Sequence, residues 1–166
     1  MATLIVLAGL PGCGKSSIAR ALAEETRGIW LRIDSIEQAI RDSGVAQGSL
    51  DDAGYRAGYA VAEDNLRLGR DVIADSVNPW MLTRNAWRDA GVRAGGRVVE
   101  VEIICSEVEE HRRRVENRRI DVLNLAPLAW HFVVGRDYHA WDRSPLVIDT
   151  FRRDVTECVR IIRSVL

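Results

Sequence analysis

The stretch Gly9-Leu-Pro-Gly-Cys-Gly-Lys-Ser16 constrains this chain more than any other. It fits G-x-x-x-x-G-K-[ST] and lies between a short apolar run and an amphipathic one. Thr3 to Ala8 is β-branched and aliphatic and stops at glycine, whereas Ser16 to Glu25 carries Ile18, Ala21 and Leu22 with helical spacing. A strand, a glycine-rich loop and a helix in that order make a phosphate nest. The glycines let backbone N–H groups turn inward, and the new helix points its partly positive N-terminus at the same anion. Lys15 is the only lysine of the chain, and every other cationic residue except histidine is arginine. A compact ammonium fits such a nest and a planar, forked guanidinium does not, so lysine is kept where shape forbids the swap. Cys13, inside the loop, reads as a small residue rather than a redox switch.

The rest of the sequence alternates strand and helix. Ile29 to Ile33 reads as a second strand, followed by Asp34 as the N-cap of a helix over Ser35 to Arg41. Ala53 to Leu68 has Tyr55, Tyr59, Ala62 and Leu66 on one side of a helix, although Gly54 and Gly58 weaken its propensity. Asp71 to Ala74 is a third strand, and Pro79 opens a helix that runs to Gly95-Gly96. Val98 to Cys105 is a fourth strand, and Ser106 with Glu109 forms a capping box for a charged helix reaching about Arg118. Leu146 to Ile148 is a fifth strand and Arg153 to Val165 a closing helix. Such alternation implies right-handed crossovers and an α/β architecture: one five-stranded parallel sheet with helices on both faces. With 166 residues, 1–166 reads as a single domain.

Charge and hydropathy narrow the function classes. A net charge of −1 supplies no whole-chain field for nucleic acid, so such a partner would need a local basic patch. The longest apolar runs fall well short of the ~20 residues that span a bilayer, and MATLIVLAG lacks a basic n-region and a cleavage site. Cys13, Cys105 and Cys158 have no framework spacing and fit reduced thiols, so a cytoplasmic location is expected. His111, His131 and His139 share no ligand spacing with a cysteine pair, so the only metal expected is Mg²⁺ carried with ATP.

In a parallel α/β sheet ligands sit at the carboxyl ends of the strands. Asp34 ends the second strand, where a carboxylate can accept the proton of an attacking hydroxyl, or can simply cap the helix. Asp75, in DVIADSVNP, is the natural partner for Mg²⁺ beside the Ser16 hydroxyl, with a substrate contact as the other reading. In His111-Arg-Arg-Arg-Val-Glu-Asn-Arg-Arg119, Arg114 and Arg118 are four apart on one helical face. A mobile segment could bring them onto a transferring phosphate; a solvated face and a polynucleotide-binding stripe are the alternatives.

These residues carry a resemblance. The chain, over nearly its whole length, resembles the small P-loop kinases related to nucleoside monophosphate kinases. Within them it is most similar to the AAA-type ATP-binding kinase-like group that includes chloramphenicol phosphotransferase and phage-type polynucleotide kinases. The resemblance implies a three-layer P-loop NTPase fold with a lid at about 112–128. It also implies ATP bound by Gly9, Leu10, Pro11, Gly12, Cys13, Gly14, Lys15, Ser16 and Ser17. GIWLRIDSIEQAI looks like the strand–aspartate–helix of the phosphotransferases and implies Asp34 as general base. VIADSVNPWMLTRNAW is similar to the polynucleotide kinase segment after the third strand, implying substrate-side or metal-side roles for Asp75, Asn78 and Arg84. The R-x-x-x-R of the family's lid maps onto Arg114 and Arg118, and its adenine-holding loop onto Thr150, Phe151 and Arg152. The family builds its acceptor pocket between the second and third strands, where Tyr55, Arg56, Tyr59 and Glu63 lie; core packing is the other reading of the tyrosines. Trp130, Tyr138 and Trp141 are expected to pack the segment between lid and fifth strand onto the domain. Polynucleotide kinases place an arginine three residues after the base, where this chain has Glu37, which lowers the nucleic-acid reading. The expectation is an ATP-dependent phosphotransferase acting on a small-molecule hydroxyl. Its rivals are a 5′-hydroxyl nucleic-acid kinase and a nucleotide-binding regulatory module with little turnover.

Overall fold

The computed structural model describes residues 1–45 and 48–166. Its elements run β1 (Thr3–Ala8), α1 (Lys15–Thr26), β2 (Ile29–Arg32), α2 (Ile33–Asp42), α3 (Ala53–Arg67), β3 (Val72–Asp75), α4 (Met81–Arg93) and β4 (Arg97–Ile104). They continue with α5 (Val108–Glu116), α6 (Trp130–Val134), β5 (Leu146–Asp149) and α7 (Val155–Arg163). The strands form one sheet in the order β2-β3-β1-β4-β5, every neighbour parallel. β1 is therefore the middle strand and is buried over its whole length, which accounts for its unbroken apolar run.

Alternation along β1 divides the core. Ile5 and Leu7 face a cluster with Ile18 and Leu22 of α1 and Val159 and Ile162 of α7. Leu4 and Val6 face the opposite cluster with Ala62 and Leu66 of α3 and Trp87 of α4. Each fully buried aliphatic chain contributes about 1.5–3 kcal/mol, so the sheet is clamped from both sides and its carboxyl edge is a rigid platform. Register aligns Leu7 and Arg32 with Asp75 on that edge, and Ile104 with Asp149.

Several element ends differ from the sequence reading. Asp34 is the second residue of α2 rather than its cap; the cap position is Arg32, with no side-chain capping bond. Glu107, not Ser106, caps α5, its carboxylate accepting from the backbone N–H of Glu109 and Glu110. The Ser106 backbone N–H instead donates to Asp149 Oδ1 at 3.0 Å, tying the end of β5 to the entry of α5. Pro79 stands two residues before α4. The segment between α5 and β5 contains the short α6, which no periodicity marks in the sequence.

That segment crosses the sheet edge and rests on α2. Arg32 Nη1 lies 2.9 Å from Asp121 Oδ1, and Asn124 Nδ2 donates to Asp42 Oδ2 at 3.1 Å. Its far end is anchored by Arg84. This guanidinium is fully buried, donates to the carbonyls of Asn78 (2.9 Å) and Pro79 (3.3 Å), and lies over the rings of Trp141 (4.1 Å) and Tyr138 (4.8 Å).

Candidate active site

The glycine-rich loop sits between β1 and α1, closed off by the fourth strand. A Cβ on Gly9 would lie 2.1 Å from the Ile103 carbonyl oxygen, and Gly9 has φ +137°, so no other residue fits. Lys15 is 7% exposed and its Nζ donates to the Leu10 carbonyl at 3.0 Å, which folds the ammonium over the nest. Cys13 Sγ donates to the same carbonyl, and burial pushes its thiol pKa up, so it is not a thiolate nucleophile.

Asp75 is buried at the end of β3. Burial raises its pKa, opposed by the Lys15 charge, the Ser16 hydroxyl and the Trp30 indole, whose Nε1 donates to Oδ2 at 3.2 Å. Arg32 Nε is 4.0 Å from the same oxygen and has no hydrogen-bond partner among the described residues. The hydroxyl of Ser16 and the carboxylate of Asp75, together beside Lys15, are hard oxygen donors of the kind Mg²⁺ takes. Among the described residues no cluster of three or more His, Cys, Asp or Glu forms a protein cage, so an ion here would share its ligands with nucleotide phosphates.

Asp34 stands on the first turn of α2, with its side chain 39% exposed. Arg118 Nη2 reaches to 3.7 Å from its Oδ2. Arg114 goes elsewhere: Nη1 donates to Thr150 Oγ1 at 2.8 Å, Nη2 to the Thr150 carbonyl at 3.1 Å, and Nε to Glu110 Oε1 at 2.7 Å. α5 ends at Glu116, short of the expected Arg118, so the two arginines do not share a helical face: Arg114 on α5 serves the loop after β5, and Arg118 beyond the helix end serves Asp34. Arg112 and Arg113 are paired with Glu116 (2.8 Å) and Glu110 (2.7 Å), so the run is not a free basic stripe.

Five expected site residues are committed to the fold instead. Arg84, being fully buried, does not reach an open site. Asn78 is also fully buried, with φ +47°; its Nδ2 donates to the Leu7 carbonyl and its N–H to the Tyr55 hydroxyl. Tyr55 and Tyr59 pack against the α3–α4 core, Tyr59 meeting Trp87 edge-on at 4.7 Å. The Thr150 hydroxyl, expected at adenine, is buried and has its one proton within reach of the carbonyls of Cys13 (2.9 Å) and Ile104 (3.1 Å), the Cys13 carbonyl being the nearer. Arg152 is exposed with its guanidinium 5.8 Å from the Phe151 ring, and Ser17 is exposed on the first turn of α1.

Three residues that bear on the site carried no role in the sequence reading. His111 Nε2 lies 2.8 Å from the Pro11 carbonyl and its ring meets Trp130 edge-on at 5.1 Å. Trp30 and Arg32 alternate on β2 and both approach Asp75. The only sequence signal for Arg32 was a charged residue at the carboxyl end of a short apolar strand.

A lysine folded into a glycine nest, a serine and a buried aspartate beside it, and a sheet ordered β2-β3-β1-β4-β5 define a P-loop domain of the kinase type. A model of the AAA domain family matches residues 4–123, and the chain belongs to that family. Comparison with curated proteins finds no match. Among solved structures, a putative kinase from Chloroflexus aurantiacus J-10-fl is 19% identical with a TM-score of 0.76, covering 99% of this chain and 98% of that one. The Mycobacterium tuberculosis APS kinase CysC, in complex with AMPPNP and APS, is 17% identical with a TM-score of 0.75, covering 98% and 96%. Chaetomium thermophilum Kti12, in complex with ADP-AlF3, is 21% identical with a TM-score of 0.69, covering 97% of both chains. The shared property is the fold. No helix among the described residues is long and apolar enough to cross a membrane.

Proposed function

We propose that the chain is an ATP-dependent phosphotransferase that moves the γ-phosphoryl group of ATP to a hydroxyl of a small molecule. The observation that carries this reading is the exposed Asp34 carboxylate facing Arg118 on the same sheet edge as Lys15, Ser16 and Asp75. A module that only binds nucleotide has no need of a carboxylate and a guanidinium on the acceptor side.

Lys15 would leave the Leu10 carbonyl for the β- and γ-phosphates, and the backbone N–H groups of the loop would hold the remaining oxygens. Bound with ATP, Mg²⁺ would neutralise charge on the phosphates, with Ser16 and Asp75 as the residues that hold it. Asp34 takes the proton of the acceptor hydroxyl as its oxygen attacks the γ-phosphorus. The new O–P bond forms, the bond to the β-phosphate oxygen breaks, and ADP carries away the electron pair. Arg118, released from Asp34 by the incoming acceptor, stabilises charge growing on the transferred group. The internal pairing of Arg112 and Arg113 speaks against a polynucleotide acceptor. Cytoplasmic ATP is the expected phosphate source.

The test is transfer of label from γ-labelled ATP across nucleosides, sugars, hydroxylated antibiotics and 5′-hydroxyl oligonucleotides. Label on a small hydroxyl compound supports the proposal. Label on the oligonucleotide alone would replace it with a nucleic-acid kinase, and nucleotide binding without transfer would replace it with a regulatory module.

A further inference from the structure

Three carbonyl oxygens of the glycine-rich loop are held by side chains, one from within the loop and two from elements outside it. The Leu10 carbonyl accepts from Cys13 Sγ and Lys15 Nζ, the Pro11 carbonyl is bound by His111 Nε2, and the Cys13 carbonyl accepts from the Thr150 hydroxyl. A trans peptide is planar, with its C=O and the following N–H pointing in opposite directions. Drawing the Pro11 carbonyl toward α5 therefore aims the Gly12 N–H away from α5. Drawing the Cys13 carbonyl toward the end of β5 aims the Gly14 N–H the other way. Gly12 and Gly14 have φ +87° and +101°, where the backbone supplies little preference of its own to keep these peptides from flipping.

We propose that His111 and Thr150 are positioning residues for nucleotide binding, acting through the Pro11 and Cys13 carbonyls to preset the Gly12 and Gly14 N–H groups toward phosphate. His111 is buried, and the loop lies so close to α5 that a Cβ on Gly12 would be 2.5 Å from Val115 Cγ2. Thr150 is in turn held by Arg114 of α5. One helix thus sets both anchors, so nucleotide affinity depends on residues that never touch the nucleotide. A loop whose carbonyls were free could turn one of them toward the phosphates and repel them; fixing them beforehand avoids that rearrangement on binding. Either the Nε2–H tautomer or the imidazolium of His111 donates this bond, so the anchor does not require a charged ring.

The inference rests on reading the loop as a nucleotide site, and the experiment separates the two. MgADP binding is measured by calorimetry, beside melting temperatures without nucleotide, for wild type, His111→Leu, His111→Gln, Thr150→Val and Thr150→Ser. Leucine keeps apolar bulk against Val115 and Trp130 without a donor, and glutamine restores an N–H of similar reach. His111→Leu and Thr150→Val are expected to raise the Kd about tenfold, as for one lost hydrogen bond, while glutamine and serine recover most of it. Binding by folded His111→Leu and Thr150→Val within about twofold of wild type would overturn the proposal. Equal weakness of the glutamine and leucine variants would overturn it too, since packing alone would then explain the loss. Should His111→Leu fail to fold, the glutamine variant and the Thr150 pair decide between the same two outcomes. Wild type that does not bind MgADP would remove the nucleotide reading together with this one. Wild type that binds MgADP but transfers no label would remove only the phosphotransferase reading.

Discussion

Arg118 on the segment after α5 and Asp34 on the first turn of α2 face each other across the carboxyl edge of the sheet, Nη2 3.7 Å from Oδ2. The pair is half-open to solvent, so its worth lies in placement rather than in stability. Arg114, four residues earlier and within α5, is bound to Thr150 and Glu110 instead. The two arginines should therefore separate kinetically. Arg118→Ala should lower kcat by about 10²-fold with nucleotide affinity nearly unchanged, as for a lost transition-state donor. Arg114→Ala should chiefly weaken nucleotide binding, because it loosens Thr150. Steady-state kinetics with calorimetry separates them, and the reverse pattern would contradict the assignment.

Asp75 should trade stability for function. Burial is the largest influence on its carboxyl and raises the pKa. A carboxyl whose folded pKa is raised favours the native state below its ordinary pKa, and that contribution is lost as pH rises through the raised value. At neutral pH the ionised group is thus a cost to the nucleotide-free fold. Asp75→Asn should melt higher than wild type at about pH 7, with the difference shrinking as pH falls through the raised value toward the ordinary carboxyl range. The same variant should lose the Mg²⁺-dependent part of ATP binding. A lower melting temperature at neutral pH would contradict this account of the site.

Arg84 makes the opposite case, a charge kept for the fold. With no carboxylate among its partners, it is satisfied by carbonyl oxygens and two aromatic faces. Arg84→Leu should destabilise the chain by about 2–4 kcal/mol, from lost cation–π contact and unpaired carbonyls. Arg84→Lys should recover little, since an ammonium cannot fork to the carbonyls of Asn78 and Pro79 while stacking on Trp141. Urea unfolding measures this directly. A lysine variant as stable as wild type would mean that charge alone suffices.

What the sequence made legible follows the range of the interactions. The loop, β1 and the alternation of strands and helices along the chain are written in local periodicity and turn chemistry, and Thr3–Ala8 is a strand as read. Asp34 was placed at the right strand–helix junction but in the wrong local role, two residues past the actual cap, because strand and helix abut without a linker at Arg32–Ile33. The bond from His111 to Pro11 and that from Thr150 to Cys13 span 100 and 137 residues, and no local pattern announces such partners. Arg84 looked like a substrate arginine because its aromatic partners, Tyr138 and Trp141, come more than fifty residues later in the chain. α6 has too few residues for a helical period to be seen.

The central claim is phosphoryl transfer with Asp34 as the proton acceptor, and Asp34→Asn tests it most directly. The amide preserves size, and no capping bond is at stake at this position. Turnover of the preferred hydroxyl acceptor should fall by about 10²–10⁴-fold while MgATP affinity and melting temperature stay close to wild type. A folded Asp34→Asn chain that binds MgATP and turns over at the wild-type rate would contradict the claim and move the search for the base to Asp75.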